Sequence, residues 1–116
     1  MKSRQTGDLA CQKCVACEGG TPALKGSALK PLLLRLGHTW KIVKRHYLEK
    51  EFKFKDFKDA LNFTVRVGKI AESQGHHPDV YLTWGRVKIT LSTHSVHGLT
   101  ENDFILAAKV QKMATR

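Results

Sequence analysis

The chain has 116 residues, 41% of them hydrophobic, and carries 20 Lys and Arg against 10 Asp and Glu, a formal charge of +10. That length holds one domain with a modest core. No run of about 18 apolar residues occurs, so no segment reads as a membrane span, and the opening MKSRQTGDLACQKC lacks the apolar stretch of a secretory signal.

Residues 1–26 are rich in Gly, Cys and polar residues and read as a flexible lead-in, with the folded unit expected over 27–116. All three cysteines, Cys11, Cys14 and Cys17, fall in CQKCVAC. An odd number in one short stretch is not a disulfide framework and fits a reducing compartment, the cytoplasm. Three thiols so spaced would hold zinc only with a fourth ligand, and no second Cys or His pair follows at the usual distance. A reduced tail is the preferred reading.

SALKPLLLRLG predicts a short helix, with Ser27 as N-cap, Pro31 near the first turn and Gly37 as the stop. WKIVKR and YLEKEFKF predict two strands. In the second, Leu48, Phe52 and Phe54 share one face against Glu49, Glu51 and Lys53. No Asn-Gly turn joins them, which leaves their register open. DFKDALNFTVRVGKIAESQG predicts the longest helix, capped by Asp56, with Asp59 at its positive end and Gly75 as its stop. Its expected apolar stripe is Phe57, Ala60, Leu61, Thr64, Val67, Gly68 and Ala71.

VYLTW and RVKITLSTH predict a hairpin turning at Gly85, with Val87, Ile89 and Leu91 alternating against Lys88, Thr90 and Ser92. GLTENDFILAAKVQKMA predicts a last helix, with Thr100 as N-cap and Asp103 completing a capping-box-like pair. The order is α-β-β-α-β-β-α. Two hairpins without βαβ alternation predict an α+β fold, a four-stranded antiparallel sheet with helices packed on one face.

The basic excess often marks a nucleic-acid or acidic partner. Here the cations are scattered, as in WKIVKRHYLEKEFKFKDFK, and no aromatic stacking motif accompanies them, so they read as a solvated face and nucleic acid is not an expected partner.

Three imidazoles hold the chemical interest. His76 and His77 follow the long helix, between Gly75 and Pro78, and His94 ends the last strand. The hairpin between them returns the chain, so its end can lie beside its start. Glu72 precedes His76 by four residues, and Asp103 lies in the first turn of the final helix. A metal site would need three or four converging ligands. Acid–base chemistry needs imidazoles that exist in both protonation states near neutral pH. Ordinary loop and strand-end histidines remain the plain alternative.

The stretch ESQGHHPDVYLTWGRVKITLSTHSVHGLTENDF resembles the pterin-4a-carbinolamine dehydratase family. It holds Glu72, His76, His77 and Pro78, then Leu91, Thr93 and His94, then Gly98, Leu99, Thr100 and Asp103, in the family's order and spacing. EFKFKDFKDALNFTVRVGKIAE is similar to the family's strand and helix, so the resemblance covers about residues 27–112. It departs where members often have Asp at position 75, an aromatic at 80 and Asn at 85; here stand Gly75, Val80 and Gly85.

The resemblance implies dehydration of a 4a-hydroxytetrahydropterin to a quinonoid dihydropterin, in tetrahydrobiopterin recycling beside pterin-dependent aromatic amino acid hydroxylases. It implies His76, His77 and His94 as catalytic residues, without metal or cofactor. His76 and His94 would form the proton-transfer pair, and His77 would hold the substrate or share the acid role. Glu72, Gly75, Pro78, Ser92, Thr93, Ser95 and Asp103 would complete the substrate site with them. Asp103 has the alternative reading of a helix cap, and Glu72 that of a solvated helix-end carboxylate. A homodimer or homotetramer is expected. The alternatives are a transcriptional coactivator partner or a molybdenum-cofactor-related pterin protein. His38, His46 and His97 fall outside the pattern and read as surface residues.

Overall fold

A computed structural model describes residues 24, 26–37, 39–44, 46–93 and 96–114. CQKCVAC, His38, His94 and Ser95 lie outside the described residues. The elements are α1 (Gly26–Leu36), β1 (Lys41–Val43), β2 (Tyr47–Lys53), α2 (Phe57–Gln74), β3 (Asp79–Leu82), β4 (Arg86–Leu91) and α3 (Glu101–Ala114). The strands form one antiparallel sheet in the order β1-β2-β4-β3. The expected α+β architecture is therefore the observed one.

Alternation decides which face of the sheet is covered. Leu48 pairs with Leu91 and Phe52 with Val87, and these four residues are buried together with Ile89. The helices cover that face. α3 packs against both α1 and α2 and buries Phe104, Ile105, Leu106, Ala107, Ala108 and Val110. The opposite face carries Glu49, Glu51, Arg86, Lys88 and Thr90, with Arg86 bonded to Glu51 at 3.0 Å.

α2 begins and ends where its caps require. The Asp56 side chain accepts the Asp59 N–H at 2.9 Å, and Gly75 sits at φ 64 as the C-cap. A left-handed C-cap is the conformation glycine adopts without strain. The buried stripe differs from the expected one. It runs Ala60, Phe63, Val67, Ala71, whereas Phe57 and Leu61 stay 42% and 41% exposed and Gly68 is also at the surface. The helix is rolled so that Phe63 meets Phe52 and Phe54, with ring centroids 4.8 and 5.0 Å away. Burying an aromatic ring is worth roughly 1.5–3 kcal/mol, enough to set the roll.

Two further local expectations change, and the register left open is fixed. Ser27 lies inside α1, which starts at Gly26, so it is not the N-cap. β1 is shorter than WKIVKR because Trp40 leaves the strand for the core, where it is 2% exposed and edge-on to Phe52. The β1–β2 register is set by a tight turn without Asn-Gly. His46 N–H donates to the Val43 carbonyl at 3.0 Å, and Lys44 takes φ 54, in the left-handed region that tight turns use. The second hairpin turns at Gly85 as expected. A Cβ there would lie 3.1 Å from the Phe54 carbonyl oxygen, a contact so tight that the backbone would have to give by a few tenths of an ångström.

Lys50 stands on the helix-covered face, opposite Ile89. Its ammonium donates to Gln111 Oε1 at 2.7 Å and Thr39 Oγ1 at 3.0 Å, and burial pulls its pKa below the usual lysine value. Trp40 Nε1 donates to the same Gln111 oxygen at 3.1 Å. The cluster ties β2 to α3 and to the segment after α1.

Candidate active site

The C-cap at Gly75 turns the chain out of α2 and into His76, whose backbone N–H still donates to the Ala71 carbonyl at 3.2 Å. This bond fixes where the imidazole starts. His76 Nε2 then lies 2.6 Å from Asp103 Oδ1, in the first turn of α3. A carboxylate oxygen accepts, so the imidazole donates from Nε2 and leaves Nδ1 for other work. The His76 side chain is 12% exposed and that of Asp103 is 0%.

Asp103 is itself held. Its Oδ2 accepts from Thr93 Oγ1 at 2.8 Å and from the Thr100 backbone N–H at 3.0 Å. Thr93 Oγ1 is also 2.9 Å from Thr100 Oγ1. The single Thr93 proton goes to Asp103, so Thr100 donates in that contact. Asp103 thus plays both parts that the sequence leaves open, returning a capping bond to Thr100 and gripping His76. Thr100 has the N-cap place, and its hydroxyl meets Thr93. A buried carboxylate with three donors is fixed in place, because any one left unmade costs about 1–3 kcal/mol.

His77 is placed differently. Its Nε2 lies 2.9 Å from Glu72 Oε1, with side chains 62% and 83% exposed. The pairing follows α2, since Glu72 lies in the last turn of the helix. Each adjacent imidazole therefore has its own carboxylate. Glu72 serves His77 rather than His76. Pro78 is half-buried between His77 and the start of β3, and Ser92 is half-buried at the end of β4. Thr93 is buried and reaches Asp103.

The sheet explains these two environments. Continuing the β3–β4 register beyond Asp79–Thr90 sets position 77 opposite 92 and position 76 opposite 93. By alternation, 76 and 93 belong to the helix-covered face and 77 and 92 to the open one. Among the described residues no three His, Cys, Asp or Glu side chains gather to hold a metal ion.

Glu72, His76, His77 and Asp103, which carry part of the sequence resemblance, pair off at this end of the sheet, and comparisons with known proteins identify the family. A family model described as pterin 4 alpha carbinolamine dehydratase matches residues 22–113. The chain belongs to this family. A relative from Alkaliphilus metalliredigens, provisionally named pterin-4-alpha-carbinolamine dehydratase, is 51% identical over 105 residues, which are 90% of this chain and 95% of the relative. One of the same provisional name from Rubrobacter xylanophilus is 48% identical over 106 residues, 91% of this chain and 98% of the relative.

Solved structures extend the likeness. A transcriptional coactivator/pterin dehydratase from Brucella melitensis superposes with a TM-score of 0.74 at 36% identity, over 79% of this chain and 98% of its own. A pterin dehydratase-like protein identified as a RuBisCO assembly factor in the alpha-carboxysome gives a TM-score of 0.57 at 26% identity, over 68% and 93%. Among the described residues no helix is long and apolar enough to cross a membrane.

Two features escaped the sequence reading. The Thr93–Asp103–Thr100 clamp joins a strand end to a helix start, and only the spacing of Thr93 from Thr100 and Asp103 hinted at it. The β1–β2 turn also comes against the segment after β4, where His46 Nδ1 lies 2.6 Å from the His97 carbonyl oxygen.

Proposed function

We propose that the chain dehydrates a 4a-hydroxytetrahydropterin to a quinonoid dihydropterin and water, in the recycling of a reduced pterin. The observation that carries this reading is His76, held through Nε2 by a buried and clamped Asp103. The reaction asks for little else. The hydroxyl on the 4a carbon takes a proton and leaves as water as its C–O bond breaks. The neighbouring ring N–H gives up its proton, and its electrons form the new C=N bond. One group donates a proton and another accepts one, so the balance closes without an external oxidant or reductant. Imidazoles can do both, and a well-placed one is worth roughly a hundred- to ten-thousand-fold in rate.

In this reading His76 and His94 exchange the protons, with His76 acting through Nδ1, and His77 holds the pterin on the open face. Asp103 orients His76, and Glu72 orients His77. Ser92, Thr93, Ser95, Gly75 and Pro78 complete the substrate site. No metal or cofactor is assigned, and the proposed setting is the cytoplasm. The test is the dehydration rate of freshly generated 4a-hydroxytetrahydropterin, with the intact protein and with a His76→Ala, His94→Ala variant of unchanged circular dichroism. Loss of a large rate in the variant supports the reading; no acceleration by the intact protein refutes it.

Self-association is favoured by one observation. Phe57, Leu61 and Val65 form an exposed apolar row on α2, at 42%, 41% and 48% exposure. We assign that row, with the outer edge of β3, to self-association as a homodimer or homotetramer. Leu61→Glu is expected to lower the mass measured by light scattering. An unchanged mass contradicts this assignment.

A further inference from the structure

The β1–β2 turn and the segment after β4 face each other across a cleft of about 280 Å³, lined by His46, Tyr47, Ser92, His97 and Gly98. Each flank holds a non-glycine residue in the left-handed region, Lys44 and His97, both at φ 54. Such conformations cost on the order of 1–3 kcal/mol and persist where the surroundings impose them, often at ligand sites. Here two bonds impose the second. His46 Nδ1 donates to the His97 carbonyl at 2.6 Å, and the Thr93 N–H donates to the Gly98 carbonyl at 2.7 Å.

The position of the cleft matters. Continuing the β2–β4 register beyond Leu48–Leu91 sets Tyr47 opposite Ser92, and the β3–β4 register sets position 77 opposite the same residue. Tyr47, Ser92 and His77 therefore make one row across the sheet end, on the open face. Neighbouring strands lie about 5 Å apart, so His77 and Tyr47 are separated by about 10 Å. A ring seated against His77 would direct a substituent of a few atoms over Ser92 and into the cleft.

The lining sets the chemical class. With Nδ1 committed to His97, His46 keeps Nε2 for a ligand, and Tyr47 and Ser92 add hydroxyls. Imidazole and hydroxyl groups both give and accept hydrogen bonds, which suits a neutral hydroxyl-bearing chain. None of the described lining residues is a Lys, Arg, Asp or Glu, so a phosphate finds no fixed charge among them. We propose that this cleft is the subsite for a hydroxylated substituent on the pterin ring, so that His46 and Tyr47 set substrate preference. The inference rests on the dehydratase reading.

The experiment compares two 4a-hydroxytetrahydropterins, one bearing a dihydroxypropyl group at ring position 6 and one bearing methyl. Rates are measured with the intact protein, with Tyr47→Phe, and with Tyr47→Phe combined with His46→Gln, which keeps a donor for the His97 carbonyl. The expected result is a three- to tenfold fall in kcat/KM for the hydroxylated substrate in Tyr47→Phe, the size of about one lost hydrogen bond, and a larger fall in the double variant. The methyl substrate should stay within about twofold of the intact protein on the same grounds. Equal losses on both substrates, or no loss on either, overturn the subsite while leaving the dehydratase reading in place. An intact protein that accelerates neither substrate overturns both.

Discussion

His76 and His77 are neighbours with the same side chain and the same kind of partner, yet they meet opposite surroundings. The His76–Asp103 pair is 12% and 0% exposed, and its carboxylate has two further donors. The His77–Glu72 pair is 62% and 83% exposed. One step along an extended backbone separates a clamped imidazole from a solvated one, because alternate residues take alternate faces. The difference teaches that burial, not the presence of a carboxylate, fixes an imidazole in place. An exposed pair is screened by water and is worth little.

Substitutions can break that contrast, and the largest effect belongs to Asp103. Asp103→Ala removes the partner of His76 and leaves Thr93 and the Thr100 N–H without their acceptor. It should cost on the order of 3 kcal/mol, read as a shift of the urea midpoint. Asp103→Asn keeps the shape but places an amide where two donors now meet a carboxylate oxygen. The dehydration rate should fall by about a hundredfold or more while circular dichroism keeps the native signal. Thr93→Val comes next, since it deletes one bond to Asp103 at nearly constant volume. A loss of about 1–2 kcal/mol in stability is expected, with a slower reaction at saturating substrate.

Glu72→Gln gives the smallest effect of the set. Stability should stay within about 0.5 kcal/mol, and activity within a few-fold. Raising the salt concentration should leave the rate of the intact protein nearly unchanged if His77–Glu72 contributes little. A separate control at the junction is Gly75→Ala. Its φ of 64 strains any residue with a Cβ, so about 1 kcal/mol should be lost in thermal melts.

The same contrast shows what could be read from the sequence. Asp56, Gly75 and Gly85 are local signals, and each acts where chain order places it. The alternation of Val87, Ile89 and Leu91 named the covered face correctly because a strand has one period and few choices. The roll of α2 was harder, since Leu61 and Phe63 are both apolar and only the rings of Phe52 and Phe54 decide between them. Lys50 shares the covered face with Leu48 and Phe52, which a pattern of polarity hides and a glutamine 61 residues away makes tolerable.

At the candidate site, spacing brought His76, His77 and Asp103 forward, but which carboxylate serves which imidazole depends on where two helices end. Glu72 precedes His76 by four residues and His77 by five, so separation along the chain does not choose between them. The clamp of Thr93 and Thr100 on Asp103 closes only when β4 and α3 meet, and the His46–His97 contact joins turns 51 residues apart. His94 and Ser95 fall outside the described residues, so their roles rest on the family likeness.

The most direct test sets Asp103→Asn beside Glu72→Gln and measures the dehydration of one 4a-hydroxytetrahydropterin by each. A loss of about a hundredfold or more for Asp103→Asn, with Glu72→Gln near the intact protein, is the expected result. Equal effects of the two, or the larger loss with Glu72→Gln, would contradict the central place given to the buried pair.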